Sequence, residues 1–190
     1  EFMGLMFSVS KDVLIPRPDT ETIIEDLLSQ ISTDEAPYIL DVCTGPGTIL
    51  YSLLHYLPKS TGLGLDISKE ALQMAAINRE QLQLTNRAKL WQSDMFSALE
   101  NDLATYKEAF HVIVSNPPYI PSKDMVGLAP EVLNEPHIAL DGGEDGLDFY
   151  RQLVSKAPQF LKSGGILSFE IGIGQEEAIA NMAKDTGLYS

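Results

Sequence analysis

The run Asn116-Pro117-Pro118-Tyr119 places an amide side chain and two consecutive prolines just after the apolar segment 110–114. Each proline fixes φ and removes a backbone N–H, so the run is stiff and leaves carbonyl groups without local donors. The Asn116 side-chain oxygen and the Pro117 carbonyl are then two fixed acceptors. Such a pair suits the alkylation of a planar, weakly nucleophilic NH2 group, because it can hold both N–H bonds and favour a tetrahedral nitrogen. Tyr119 can pack against the flat face of that group, although a run of this kind taken alone is more often a proline turn.

A glycine-rich loop lies at residues 41–48, with the sequence Asp-Val-Cys-Thr-Gly-Pro-Gly-Thr. A glycine turn between a strand and a helix lets the backbone approach a ligand, and the helix that follows offers free N–H groups. In the three-glycine dinucleotide motif the third glycine would fall at Leu50, so a hydride-transfer cofactor is disfavoured. For the loop alone, a tight turn without a ligand remains an open alternative.

Two further acidic residues follow predicted strands. Asp66 ends the run Gly-Leu-Gly-Leu-Asp, where a carboxylate can accept hydrogen bonds from both hydroxyls of a ribose. Taken alone it is as often a helix cap, but the glycine loop one strand earlier favours the ribose interpretation. Asp94 can accept from an adenine amino group while Met95 covers the ring; a turn residue beside a core methionine is an equally good interpretation of that pair.

Apolar runs alternate with amphipathic segments along the chain, which predicts βαβ units and a mostly parallel sheet with helices on both faces. In such a sheet ligands bind at the carboxyl ends of the strands, where the glycine loop, Asp66 and Asn116 all fall. The long segment 120–146 is too polar for a core element. The predicted strands are 38–43, 62–67, 88–93, 111–116 and 165–172, and the predicted helices include 20–31, 68–82, 145–161 and 175–185.

Composition narrows the class of protein. The 190 residues are enough for one core, and a net charge of −14 without any basic run disfavours a nucleic-acid partner. Cys43 is the only cysteine, so we expect no disulfide and a reducing, cytoplasmic location. The three histidines lie far apart without metal-ligand spacing, and no apolar run approaches the ~18 residues of a membrane span. We therefore expect neither a metal site nor a membrane partner.

Together these motifs resemble those of class I S-adenosylmethionine-dependent methyltransferases. The segment 1–21, with its Pro-Arg-Pro-Asp-Thr-Glu sequence, and the segments 138–153 and 164–179 are similar to blocks of the release factor glutamine methyltransferases of the HemK or PrmC type. The resemblance covers essentially the whole chain. It implies a Rossmann-like class I methyltransferase fold.

The resemblance also implies a reaction: methyl transfer from S-adenosylmethionine to the side-chain amide nitrogen (N5) of the glutamine in the Gly-Gly-Gln motif of class 1 peptide chain release factors, leaving S-adenosylhomocysteine. The expected partner is thus a release factor. By motif match the catalytic residues would be Asn116, Pro117, Pro118 and Tyr119. The cofactor would be held by Asp41, Cys43, Thr44, Gly45, Pro46, Gly47, Asp66, Ile67, Asp94, Met95 and Asn116.

The resemblance also implies domain boundaries, and the chain departs from the family's usual residues at two positions. Residues 1–18 would be a linker segment from a helical domain that this chain lacks, and residues 19–190 a methyltransferase domain without its closing strands, which would expose a sheet edge. The family usually has glycine at Cys43 and a small polar residue at Pro46, so we expect an altered cofactor affinity. Arg17 and Glu21 would brace the first segment against the cofactor site or form a structural ion pair.

Three alternatives remain from the sequence. The same Asn-Pro-Pro-Tyr chemistry serves the amino group of a flipped adenine or cytosine in nucleic acid, against which the charge argues. A second alternative is a non-catalytic fragment that binds the cofactor or a partner. A nucleotide-binding dehydrogenase is the weakest, because of Leu50.

Overall fold

The computed structural model describes residues 1–189, with the backbone alone at positions 130 and 131. Its sheet has five strands in the order β3-β2-β1-β4-β5, and every pairing is parallel. The five predicted strands are confirmed, although the last begins four residues before the prediction. The strands are β1 (Tyr38–Val42), β2 (Thr61–Asp66), β3 (Ala88–Gln92), β4 (Phe110–Ser115) and β5 (Leu161–Phe169).

The predicted helices are confirmed as well. Asp19 lies within a 3-10 turn, and the first helix begins at Glu21. Segment 120–146 contains short helical turns. The helices are α1 (Glu21–Gln30), α2 (Thr48–Tyr56), α3 (Lys69–Gln81), α4 (Ser97–Glu100), α5 (Leu103–Tyr106), α6 (Pro130–Leu133), α7 (Asp148–Phe160) and α8 (Glu176–Thr186), with 3-10 turns at Pro18–Thr20, Ser122–Gly127 and His137–Ala139.

Residues of β1 alternate between two apolar layers. Ile39 packs with α1, α2 and α3 on one face of the sheet, whereas Leu40 and Val42 pack with α4, α5, α7 and α8 on the other. Each fully buried aliphatic side chain stabilises the fold by about 1.5–3 kcal/mol relative to exposure. The predicted α/β architecture, with helices on both faces of a parallel sheet, is confirmed.

The strand order brings three loops to one edge of the sheet. The chain adds β2 and β3 on one side of β1 and then β4 and β5 on the other, so the order reverses beside β1. Val42 at the end of β1 pairs with Leu65 of β2 and with Ser115 of β4. The loops after these three strands therefore start at the same level, at the position where open α/β sheets bind their ligands.

The first residues of the chain pack onto this domain. Phe2 and Val13 are buried, and the Ser8 N–H donates to Asn78 Oδ1 at 2.7 Å. The Asn78 amide, fully buried in α3, in turn donates to the carbonyls of Ser8 (3.0 Å) and Pro46 (2.9 Å). One side chain thus fastens both the N-terminal segment and the glycine loop to α3. Among the helices that the structure describes, none has the length and apolar character needed to cross a membrane.

Candidate active site

Asp41 supports the glycine loop from beneath. Its Oδ2 accepts hydrogen bonds from Thr44 Oγ1 (2.7 Å) and from the Leu50 N–H (3.3 Å), and the Thr44 N–H donates to the Leu65 carbonyl at 2.9 Å. Asp41 is fully buried, so its carboxylate fixes the path of the loop from the protein interior.

Burial raises the pKa of Asp41 from its usual 3.8 to about 7, against the lowering effect of the hydrogen bonds from Thr44 and Leu50. The second carboxylate oxygen, Oδ1, is buried without a hydrogen-bond partner among the described residues. A charge is costly in such a position, since burial disfavours the ionised form. The group thus titrates in the folded protein near neutral pH.

We expect an Asp41→Asn variant to change how stability depends on pH. Because folding raises the pKa of Asp41 from 3.8 to about 7, the folded protein binds more protons than the unfolded chain within that window, and stability falls as pH rises through it. Asparagine does not titrate, so the unfolding free energy of the variant should gain on wild type by on the order of 4 kcal/mol between pH 4 and pH 8. Urea unfolding across this range measures the difference; a constant difference would contradict the assignment.

Three residues of the glycine loop adopt left-handed backbone conformations. Gly45 and Gly47 have φ of 54° and 85°, which glycine adopts without strain, and Cys43 has φ of 60°, which a side chain makes costly by about 1–2 kcal/mol. The Cys43 Sγ lies 3.8 Å from Met95 Sδ. Burial, followed by the charge of Asp66, holds the pKa of the Cys43 thiol well above its usual value, so the thiol stays protonated at neutral pH.

The Asp66 carboxylate lies at the end of β2, beside the glycine loop. Its Oδ2 accepts from the Gly45 N–H at 2.8 Å and its Oδ1 from the Ser68 N–H at 2.9 Å. Ser68 is the residue that caps α3, with its hydroxyl accepting from the Ala71 N–H at 3.1 Å. The cap role is thereby filled by Ser68, and Asp66 lines the cavity. Burial raises the pKa of Asp66, and its backbone hydrogen bonds oppose that rise.

A cavity at the carboxyl edge of the sheet encloses about 1040 Å³, its open mouth included. Its walls combine apolar side chains with the carboxylates of Asp12, Asp66 and Asp94. Within residues 1–189, no group of three or more His, Cys, Asp or Glu is arranged to hold a metal ion. The predicted site residues that line the cavity are Cys43, Thr44, Gly45, Pro46, Asp66, Ile67, Asp94, Met95, Asn116 and Pro118.

Four predicted site residues lie elsewhere. Asp41 and Gly47 form the base of the loop, whereas Pro117 and Tyr119 line a second, neighbouring cavity of about 610 Å³, its open mouth included. Asn116 lines both cavities. The stiff proline run therefore follows a residue at the junction of two chambers.

Sequence reasoning missed one wall of the first cavity. Its N-terminal side is formed by residues of the segment before α1, and another part by the segment around Ile138 and by Phe149. A signal was present in the apolar pair Val13-Leu14 followed by two prolines, which predicts a rigid, packed segment. The missed N-terminal residues are Asp12, Val13, Leu14, Pro16 and Thr20.

The Asn116 side chain is held by its NH2 group. Nδ2 donates to Glu170 Oε2 at 3.0 Å and to Thr20 Oγ1 at 3.2 Å. The other end of the amide, the acceptor Oδ1, is therefore the end available to the cavities. The Tyr119 hydroxyl donates to Glu170 Oε1 at 3.3 Å, and burial together with the Glu170 charge raises the pKa of Tyr119.

Arg17 and Glu21 do not pair with each other, although Arg17 does form a structural ion pair. Arg17 pairs with Glu135 at 2.6 Å, while Glu21 Oε1 accepts from the Met3 N–H at 2.6 Å. Arg17 lines the second cavity, and Glu135 is almost completely buried. The pair therefore links the N-terminal segment to segment 120–146. Glu135 lies far from Arg17 along the chain, so the local spacing of residues gives no indication of this ion pair.

The sequence of this chain is similar to sequences of known methyltransferases. A family profile described as "Methyltransferase domain" matches residues 33–189. The chain is 42% identical to the release factor glutamine methyltransferase of Clostridium acetobutylicum, with the alignment spanning 100% of this chain and 66% of that protein. It is 42% identical to the protein of that name from Moorella thermoacetica (100% and 65%) and 43% identical to that from Geobacter sulfurreducens (99% and 63%). The chain spans slightly less than two thirds of these relatives, and the resemblance read from the motifs is confirmed.

Solved structures share the fold at low sequence identity. The hMettl16 catalytic domain in complex with MAT2A 3'UTR hairpin 6 superposes with a TM-score of 0.72 at 16% identity, covering 99% of this chain and 69% of that one. An RNA methyltransferase from Salinibacter ruber in complex with S-adenosyl-L-homocysteine gives a TM-score of 0.54 at 16% identity, covering 86% and 81%. These similarities establish the Rossmann-like fold.

Proposed function

This chain belongs to the methyltransferase domain family, and from that membership we propose that it transfers a methyl group from S-adenosylmethionine to the side-chain amide nitrogen of a glutamine in a class 1 peptide chain release factor. The observation that carries the proposal is the position of Asn116 at the junction of two cavities. One chamber suits a methyl donor and the other an amide acceptor. The names and identities of the curated relatives support the choice of substrate. A release-factor substrate requires a cytoplasmic location.

The residues of the first cavity fit S-adenosylmethionine. Among the lining residues, Asp66 would bind the ribose hydroxyls, Asp94 and Met95 would contact the adenine, and the loop 43–46 would hold the methionine part. Lining carboxylates give a negative potential that favours a positively charged ligand. A bound cofactor would supply a methyl group on a sulfonium sulfur, and that sulfur would keep the electron pair of the S–C bond as the new N–C bond forms.

The Asn-Pro-Pro-Tyr run orients the acceptor. Asn116 Oδ1 and the Pro117 carbonyl accept hydrogen bonds from the two N–H groups of the target amide. They hold its nitrogen toward the first cavity. Because the amide lone pair is delocalised, the nitrogen becomes a nucleophile only as it turns tetrahedral, and fixed acceptors favour that change. The nitrogen then loses one of its two protons to solvent, which leaves a neutral N-methyl amide.

The main rival is an amino-methyltransferase for nucleic acid. A net charge of −14 opposes binding to a phosphate backbone, since such binding draws most of its affinity from Lys and Arg contacts. The RNA-bound hMettl16 catalytic domain and the RNA methyltransferase from Salinibacter ruber share only the fold with this chain, each at 16% identity. A protein substrate is therefore the better proposal.

The test is incubation of the full chain with isotopically labelled S-adenosylmethionine and a purified class 1 release factor, followed by peptide mass spectrometry. We expect one added methyl on the glutamine of the Gly-Gly-Gln motif, and none when that glutamine is replaced by alanine. Parallel reactions contain duplex DNA or a structured RNA in place of the release factor. Label in nucleic acid but not in the release factor would support the rival, and label in neither would support the non-catalytic alternative.

A further inference from the structure

Glu170, the residue after β5, gathers three polar groups around one carboxylate. Its Oε2 accepts from Thr20 Oγ1 at 2.6 Å and from Asn116 Nδ2 at 3.0 Å, and its Oε1 accepts from the Tyr119 hydroxyl at 3.3 Å. Thr20 is buried and Glu170 half-buried. The three donors come from the N-terminal segment and from the Asn-Pro-Pro-Tyr run, so the carboxylate connects these two parts of the site.

The backbone of Glu170 is fixed on both sides. Its N–H donates to the Ser115 carbonyl at 3.0 Å, continuing the pairing of β5 with β4, and its carbonyl accepts from the Tyr150 hydroxyl at 2.9 Å. Tyr150 is fully buried in α7. The carboxylate therefore extends from a rigid point just after the end of β5. This point lies beside the end of β4, which Asn116 follows.

This arrangement selects one of the two orientations of the Asn116 amide. An amide has a donor end and an acceptor end, whereas a carboxylate only accepts, so the NH2 end must face Glu170. The single proton of the Thr20 hydroxyl goes to Glu170, so Thr20 also meets Asn116 as an acceptor, at 3.2 Å. Rotating the amide by half a turn would set Oδ1 against two acceptor oxygens. Both partners thus specify the same orientation.

We propose that Glu170, assisted by Thr20, is a positioning residue that locks the Asn116 side chain with Oδ1 toward the methyl-accepting NH2 group. The effect of this orientation on catalysis rests on the proposed function, because only an oriented Oδ1 can hold the NH2 group of the substrate. Glu170 acts through Asn116 and not on the transferred methyl. Without the Glu170 carboxylate, the Asn116 amide samples both orientations. In one of them its NH2 group faces the NH2 group of the substrate, so that two donors oppose each other.

The chain offers a matched pair of variants at this position. In Glu170→Gln the side-chain oxygen takes the place of Oε2 and accepts from Thr20 and Asn116, while the new NH2 group faces the Tyr119 hydroxyl, which can accept. In Glu170→Met the length is similar and both acceptors are lost. We expect Glu170→Gln to stay within about threefold of wild-type kcat and Glu170→Met to lose roughly 100-fold, the size of effect that misplacement of a reacting group produces.

Companion measurements separate positioning from structural support. For Glu170→Met, the KM for the release factor and the Kd for S-adenosylhomocysteine should stay within about threefold of wild type, since the loss falls on an interaction made in the transition state. Thr20→Val, which keeps the shape and removes the hydroxyl, should lose about tenfold in kcat by the same argument. Unchanged kcat in Glu170→Met overturns the proposal. The proposal is also overturned if Glu170→Gln loses as much kcat as Glu170→Met and both variants bind release factor and S-adenosylhomocysteine more weakly and have a lower Tm.

A spectroscopic readout tests the orientation without any substrate. The Asn116 side-chain NH2 resonances, assigned by their disappearance in Asn116→Asp, should show protons protected from exchange in wild type and in Glu170→Gln. In Glu170→Met they should exchange at least tenfold faster. Equal exchange in all three proteins overturns the proposal whatever the substrate. If wild type methylates no release factor but this pattern holds, the proposed function fails and the positioning role stands.

Discussion

An Asn116→Ala variant is expected to lose about 1000-fold in kcat for release-factor methylation, the upper range for removal of one preorganised polar group. The variant lacks the Oδ1 acceptor at the junction of the two cavities, and it leaves Glu170 Oε2 with Thr20 as its remaining partner. Since Asn116 is one of many residues that line the cofactor chamber, the Kd for S-adenosylhomocysteine should change by less than about tenfold, or 1.4 kcal/mol. Single-turnover rates and calorimetric titration measure the two quantities.

Asn101 supplies the matched control for that variant. It is an exposed asparagine at the end of α4, outside both cavities, so Asn101→Ala should retain wild-type kcat and Kd. An Asn116→Ala enzyme that keeps more than a tenth of wild-type kcat would assign the chemistry to another group. A variant that loses S-adenosylhomocysteine affinity in proportion to kcat would instead make Asn116 a part of the cofactor chamber alone.

Gly47→Ala is expected to be the most destabilising small substitution in the glycine loop. Gly47 caps α2 with φ of 85°, and a Cβ there would overlap the ring of Tyr51. Tyr51 cannot move aside, because it is fully buried and its hydroxyl donates to the Ala75 carbonyl at 2.8 Å. Left-handed strain and overpacking together should cost about 3–5 kcal/mol of unfolding free energy. Urea unfolding measures the loss.

Gly45→Ala separates the two causes. Gly45 is also left-handed, with φ of 54°, but a Cβ there meets no heavy atom within 4 Å. It should therefore cost only the backbone strain, about 1–2 kcal/mol. If the two alanine variants lose equal stability, the clash with Tyr51 is not the cause of the loss at Gly47.

The parts of the site that are local in sequence could be predicted from it. The apolar strands, the glycine loop and the Asn-Pro-Pro-Tyr run each show their role within a few residues. Because all strands are parallel, the ends that carry Asp66 and Asn116 had to meet at one edge. Ser68 as the cap of α3 and the left-handed Gly187 after α8 follow from local backbone chemistry in the same way.

What could not be predicted depends on packing between distant segments. Glu170 meets Asn116 only because β5 pairs with β4 in a register that sets Phe169 beside Ser115. Thr20 reaches the same carboxylate from the N-terminal segment, which lies 150 residues earlier in the chain. The place of Asp41 is set by strand alternation: its neighbours Leu40 and Val42 pack into one apolar layer, so Asp41 points to the opposite face, beneath its own loop. Arg17 and its partner are separated by most of the chain.

The double attachment of Asn78 makes the N-terminal segment and the glycine loop thermodynamically linked. Its amide donates to Ser8 and to Pro46 together, so displacement of either segment strains the anchor of the other. By reciprocity, a ligand that binds more tightly when the N-terminal segment is docked strengthens that docking by the same factor. Ser8 and Asn78, which do not line the first cavity, can therefore tune how firmly the methyl donor is held.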